Sequence, residues 1–393
     1  MKVLIVINDL RSGGAQKSLV SFLKKLDEIG VSQKYEIDLM VSEYDGIFVK
    51  DIPQSINAFQ SDYIFKWMNC PFNRINFVNN FSLIGLYAKI KTIIQRKILK
   101  KKINVWKLWK KYIPENEKEY DVAISYMDGW PNYYVIDKVK ASKKVLWIHN
   151  EYQKLNYSKD FDKAFYEKCN QIITISDRCR DSFVEVFPEY SKKIDILENI
   201  TLSSDIMRKA NLETAEEFEK DDNKLKLLSV GRLSEQKAFD LAIKSANILK
   251  NNGINFHWII LGEGPDRGML ESLIQEYNLD EYVSLPGVKS NPYPYIMKCD
   301  IFVQTSIFEG KSIVLDEAKL LAKPIVVTNY NTVYDNIDNG KNGIITEMTP
   351  QAIASGIEKY ISNSELKNSV VDELKNNYHG NEDEIQRYIS LML

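Results

Sequence analysis

The sequence predicts an α/β protein of two doubly wound parallel-sheet domains facing each other across a cleft. Three observations predict it. The chain has 393 residues, more than one ordinary core accommodates. Short apolar runs alternate with helical patterns through both halves, the mark of βαβ units. Near the middle, Thr201 to Asn223 breaks that alternation with a polar stretch ending in a charge run.

The first domain is expected over residues 1–200. Lys2 to Ile7 is apolar throughout after its first residue, as in a strand covered on both faces. A glycine loop and a helical pattern from Ala15 to Leu26 follow. Further strands are expected at Ile37–Val41, Val122–Tyr126, Lys144–Ile148, Ile172–Ile175 and Ile194–Leu197. Residues 201–223 read as a linker. The second domain, 224–375, has strands at Leu225–Val230, Phe256–Leu261, Tyr282–Leu285, Ile301–Gln304, Pro324–Val327 and Gly343–Thr346. Helices are expected at Phe239–Lys250, Pro265–Tyr277, Tyr293–Lys298 and from Ser312 to Leu321. The chain finishes in helices Pro350–Ser362 and Glu382–Met392, and residues 376–393 are expected to pack back on the first domain. Open α/β sheets bind ligands at the carboxyl ends of their strands, so the functional residues are sought there.

Composition excludes several classes. The formal net charge of −2 gives no global field directed at nucleic acid. Four scattered cysteines, without a CxxC pair, suit reduced thiols rather than a disulfide framework or zinc site. The start, "MKVLIVINDLRSGGAQ", does not read as a signal peptide. No window reaches the roughly 18–20 apolar residues of a membrane span.

At the end of the first strand of the second domain stands "LLSVGRLSEQKAFDLAI". Gly231 allows a turn, and Arg232 and Lys237 place two cations beside a helix start, which suits a diphosphate. In "LGEGPDRG", the spacing of Gly262, Gly264 and Gly268 is one residue too long for GxGxxG, and a tight turn capped by Pro265 explains much of it. In "FEGKSIVLDEAKLLAKPIVVTN", Glu309 and Glu317 stand either side of a helix start, with seven residues between them. The amides of Lys311, Ser312 and Ile313 are candidates to bind phosphate oxygens, and the two carboxylates to accept from sugar and ribose hydroxyls.

Taken in order, "VGRLSEQK", "LGEGPDR", "LPGV" and "FEGKSIVLDEA" resemble the retaining glycosyltransferases of family 4, which have the GT-B fold. "GGAQ" at Gly13–Gln16 and "ILENI" at Ile196–Ile200 support the resemblance in the first domain. It implies that Arg232 and Lys237 neutralise a leaving nucleoside diphosphate, that Glu309 holds the donor sugar and Glu317 its ribose. His149, in "VLWIHNEY", resembles the histidine that approaches the transferred sugar. Gly13, Gly14, Gly231, Glu263, Gly264, Val288, Gly310, Lys311, Ser312 and Ile313 complete the implied donor site. Lys311 and Ser312 stand where the family usually has Gly, Phe or Pro, and Glu198 replaces a common proline. Asp160-Phe161-Asp162 is formally a metal-binding DxD, but it reads as acids favouring a helix start. No metal or other cofactor is expected.

From Tyr63 to Pro114 there is no acidic residue, and twelve are Lys or Arg. Apolar residues keep roughly helical spacing there, with Trp67, Trp106 and Trp109 among them. Lys100, Lys101, Lys102, Trp106 and Trp109 are read as meeting an anionic bilayer. A solvated helix whose apolar stripe packs on its own domain is the alternative. The expected activity is retaining transfer from a nucleotide-sugar, a UDP-sugar in this reading, to a glycan or lipid-linked acceptor in bacterial surface polysaccharide synthesis. The expected place is cytoplasmic, at the inner face of the plasma membrane. A UDP-sugar 2-epimerase-like isomerase and a non-catalytic partner subunit are the alternatives.

Overall fold

In the computed structural model the described residues are 1–11, 13–69, 83–94, 104–155, 157–219 and 223–392. The chain forms two compact units, Met1–Glu198 with Glu384–Leu393, and Asn199–Asp383.

The first unit holds seven strands: β1 (Lys2–Asp9), β2 (Glu36–Glu43), β3 (Asn57–Gln60), β4 (Glu119–Ser125), β5 (Lys140–Ile148), β6 (Gln171–Thr174) and β7 (Ile194–Ile196). Their order is β3-β2-β1-β4-β5-β6-β7, and the pairings are parallel. Val3 to Ile7 of β1 are fully buried, as a central strand covered on both faces requires. β3 was not expected. It lies at the sheet edge, and its sequence, NAFQ, is too polar and exposed to leave an apolar run.

The second unit holds β8 (Leu225–Val230), β9 (Phe256–Leu261), β10 (Val283–Gly287), β11 (Ile301–Gln304), β12 (Ile325–Thr328) and β13 (Ile344–Thr346). The order is β10-β9-β8-β11-β12-β13, again parallel. In each sheet the strand order reverses once, between β1 and β4 and between β8 and β11. Loops diverge there at the carboxyl ends, the place where such sheets hold ligands.

Three expectations need revision. The segment 201–223, expected as a linker, carries helices Ser203–Ala210 and Glu216–Glu219. Ile206, Ala210, Ala215 and Phe218 enter the core of the second unit beside Leu228 and Ile259. These few apolar residues keep helical spacing, which the high average polarity hides. A helix at Ser364–Asn377 also went unexpected; Val370 and Leu374 bury it. The third revision concerns the basic stretch. Trp106 and Trp109 are core residues, not membrane contacts. The Trp106 indole N–H donates to Asp137 Oδ2 at 2.9 Å and that of Trp109 to Thr92 Oγ1 at 3.1 Å, so burial costs neither its hydrogen bond. Lys100, Lys101 and Lys102 lie outside the described residues.

Helix Leu83–Ile93 instead leaves Leu83, Tyr87 and Ile90 exposed, with Ile94 just beyond it, at spacings that share one helix face. Among the described residues no helix is long and apolar enough to cross a membrane. The final helix, Ile385–Met392, belongs to the first unit. Tyr388 packs there on Phe22, ring centroids 4.8 Å apart, and donates to Glu198 O at 2.9 Å.

Candidate functional site

The second unit gathers its polar residues where β8 and β11 end side by side. Beyond β8 the backbone locks into its neighbours. Gly231 N donates to Leu261 O, Leu233 N to Glu263 O and Gly262 N to Gly287 O, at 2.9, 3.0 and 2.9 Å. A Cβ on Gly262 would lie 1.8 Å from Gly231 O, and one on Gly264 2.1 Å from Leu233 O. These glycines let three strand ends close on one another, which is their use in "LGEGPDR". Glu263 is engaged by Arg267, at 2.5 and 2.9 Å, and that guanidinium holds its carboxyl below the usual range. Val288 is exposed at the end of this turn.

Arg232 is exposed, and among the described residues its guanidinium has no hydrogen bond or ion pair. Lys237 closes a short 3₁₀ turn, and Ala238 follows in the left-handed region at φ 46°. The Lys237 stem runs back over Gly231, where a Cβ would meet its Cε at 3.1 Å. Its ammonium reaches Glu309 Oε1 at 2.5 Å. Two positions 72 residues apart in sequence thus meet because β8 and β11 are sheet neighbours.

Glu309 is buried and held from several sides. Ser306 Oγ and Gln304 Nε2 also donate to Oε1, at 2.7 and 3.1 Å, and Thr332 Oγ1 donates to its backbone carbonyl at 2.8 Å. The two loops are joined further by Ile307 N to Gln236 O and by Thr305 Oγ1 to Lys237 O, each 2.8 Å. Gly310 is buried, and Lys311, Ser312 and Ile313 lead into helix Ile313–Leu320, as expected. Glu317 lies on that helix, buried, and accepts from Tyr293 OH at 3.4 Å. On the same helix, Asp316 and Lys319 form a buried pair at 3.0 Å, with Tyr378 OH donating to Asp316 at 2.7 Å. Burial pushes the Asp316 carboxyl up, but the charges of Lys319 and Lys311 and the Tyr378 hydrogen bond outweigh it and hold it below its ordinary value.

In the first unit, His149 follows β5 and is buried. Its Nε2 lies 3.0 Å from Tyr126 O; a carbonyl only accepts, so Nε2 carries the proton and Nδ1 is the ring's acceptor. Burial pushes its pKa down, against the pull of the Asp128 charge, and favours the neutral ring. Asp128 in turn accepts from His149 N at 3.3 Å and Tyr157 OH at 2.7 Å. Gly13 caps helix Gly14–Glu28, with Lys17 N bonded to its carbonyl. Asp162 of the DxD is buried between Tyr133 OH and Tyr152 OH, both at 2.6 Å, and burial raises its pKa. Its work there is to join two elements. Asp128, Gln304, Ser306 and Thr332 escaped sequence reasoning. Gln304 did leave a signal, since a polar residue ending the apolar run "IFV" needs a partner.

Residues 211–376 match the family model described as Glycosyl transferases group 1. Over 384 residues the chain is 26% identical to the N-acetylgalactosamine-N,N'-diacetylbacillosaminyl-diphospho-undecaprenol 4-alpha-N-acetylgalactosaminyltransferase of Campylobacter jejuni, covering 95% of this chain and 94% of that protein. A putative colanic acid biosynthesis glycosyltransferase, WcaL of Salmonella typhimurium, is 32% identical over 145 residues, 35% of this chain and 36% of its own. Among solved structures, Anabaena HepE in complex with UDP and glucose superposes with a TM-score of 0.69 at 15% identity, covering 99% of this chain and 98% of that one. The fold is therefore GT-B.

Proposed function

We propose that this chain, a glycosyltransferase whose residues 211–376 match the group 1 model, moves a sugar from a UDP-sugar to a glycan or lipid-linked acceptor with retention of configuration. The observation that carries the reading is the Lys237–Glu309 pair at the β8/β11 switch point, beside exposed Arg232 and the start of helix Ile313–Leu320. UDP as the donor's nucleoside diphosphate is supported by the complex of HepE, and a lipid-linked acceptor by the name of the Campylobacter relative.

The chemistry follows from charge. Breaking the anomeric C–O bond moves negative charge onto the diphosphate. Lys237, Arg232 and the helix amides would stabilise it there. These cations supply the charge that a divalent ion supplies elsewhere, so no metal is invoked. Glu309 would accept from donor-sugar hydroxyls and Glu317 from the ribose. His149, neutral, would meet the transferred sugar through Nδ1. A departing phosphate oxygen takes the acceptor's proton, and no side chain is assigned as the base.

The exposed face of helix Leu83–Ile93, within a stretch that has no acidic residue, is proposed to rest on an anionic membrane surface at the cytoplasmic side, where a lipid-linked glycan of bacterial surface polysaccharide synthesis would be met. The test is incubation with UDP-, GDP- and ADP-sugars and membrane lipid extract. Nucleoside diphosphate release that depends on acceptor is expected. Conversion without acceptor would replace the reading by an isomerase, and binding without turnover by a non-catalytic partner.

A further inference from the structure

Ser312 occupies the N-cap of helix Ile313–Leu320 with extended backbone, φ −81° and ψ 101°, yet makes no side-chain cap hydrogen bond. Serine at this position ordinarily accepts from the second or third amide of its helix. Here the hydroxyl donates to Gln304 Oε1 instead, at 3.0 Å. The Gln304 carboxamide nitrogen donates at 3.1 Å to Glu309 Oε1 and at 3.0 Å to Ser306 Oγ. A carboxamide offers one oxygen and two N–H groups, and all are used in this direction. Gln304 is buried at the end of β11, after the buried apolar residues Phe302 and Val303.

We infer that Gln304 is a positioning residue for the diphosphate half of the site. Leu315 N already donates to Ser312 O at 3.1 Å, so by engaging Ser312 the glutamine keeps the Val314 amide open to a phosphate oxygen, which would otherwise compete with a capping hydroxyl for that N–H group. By donating to Glu309 Oε1, beside Lys237 and Ser306, it fixes the carboxylate on one oxygen and leaves Oε2 as the other face. This inference rests on the proposed nucleoside diphosphate site and assigns the residue that holds it open.

The test compares the wild type, Gln304→Met and Gln304→Met/Ser312→Gly, each shown to fold by a cooperative melt. Amide hydrogen exchange of Val314 is read without nucleotide, and UDP affinity by calorimetry. Gln304→Met should slow exchange at this amide and weaken UDP about fivefold, the size of one helix cap. Ser312→Gly in that background should restore fast exchange and recover most of the affinity. Unchanged exchange in Gln304→Met, or a loss of UDP affinity that Ser312→Gly fails to recover, would overturn the inference. If the wild type binds no nucleoside diphosphate at all, the functional reading fails, and the exchange data alone then decide whether Gln304 holds Ser312 off its helix.

Discussion

Lys237 shows how one side chain serves fold and chemistry together. Its ammonium satisfies Glu309, but Ser306 and Gln304 also donate to that carboxylate. Lys237→Ala should therefore cost about 1–3 kcal/mol of stability, the scale of one lost buried partner. Turnover should fall about 10²–10³-fold, as when one transition-state contact is removed. Urea melts and steady-state rates separate the two; a rate loss no larger than the stability loss explains would remove the phosphate role. His149 makes a prediction about pH. An unfolded histidine titrates near pH 6.5, and burial lowers the folded value. Below about pH 6.5 the unfolded chain binds the extra proton first, so stability falls as pH falls. Replacing His149 by Gln should flatten that slope in urea midpoints measured against pH, and an unaltered slope would show that this ring stays dry for no energetic reason. At this scale the sequence was most legible where charge follows an apolar strand, as at Lys237 and Glu309. It was least legible where a buried hydroxyl such as Thr332 supports a main-chain carbonyl, because a threonine hydroxyl has many uses.

Among elements, the basic stretch divides into a part that packs and a part that faces out. Trp106→Ala should destabilise the first unit by about 3–5 kcal/mol, the cost of emptying a core aromatic site, with liposome binding unchanged while the protein is folded. Leu83→Asp with Ile90→Asp should leave the melting temperature nearly as it was and reduce sedimentation with anionic liposomes. The reverse pattern would return the tryptophans to the surface. Helical periodicity predicted an amphipathic region here but could not say which side was the core, since both sides carry large apolar residues. The turn at Gly262 gives a sharper case. A methyl group there would lie 1.8 Å from Gly231 O, so Gly262→Ala should destabilise the second unit by about 1–3 kcal/mol or more, read as a lowered urea midpoint. A neutral result would mean that the three strand ends can part without loss. Strands with four or more buried apolar residues were legible throughout. β3 was not, because an edge strand need not be apolar, and the helices between residues 203 and 219 were hidden because four apolar side chains anchor them in a charged segment.

Over the whole molecule, the alternation of strand and helix was enough to give two doubly wound sheets, since parallel pairing and crossover connections follow from it. The order of strands within each sheet was not in that pattern. It comes from tertiary pairing, and it is what places β8 beside β11 and so brings the loop at Gly231–Lys237 to the loop at Ser306–Glu309. The chemistry proposed for the protein depends on that adjacency. The most direct test is a crystal structure of the protein with UDP. The account predicts the diphosphate within hydrogen-bond distance of Lys237 Nζ and the amides opening helix Ile313–Leu320, with Glu317 on the ribose. Phosphates bound away from those groups, with Lys237 still held only by Glu309, would contradict it.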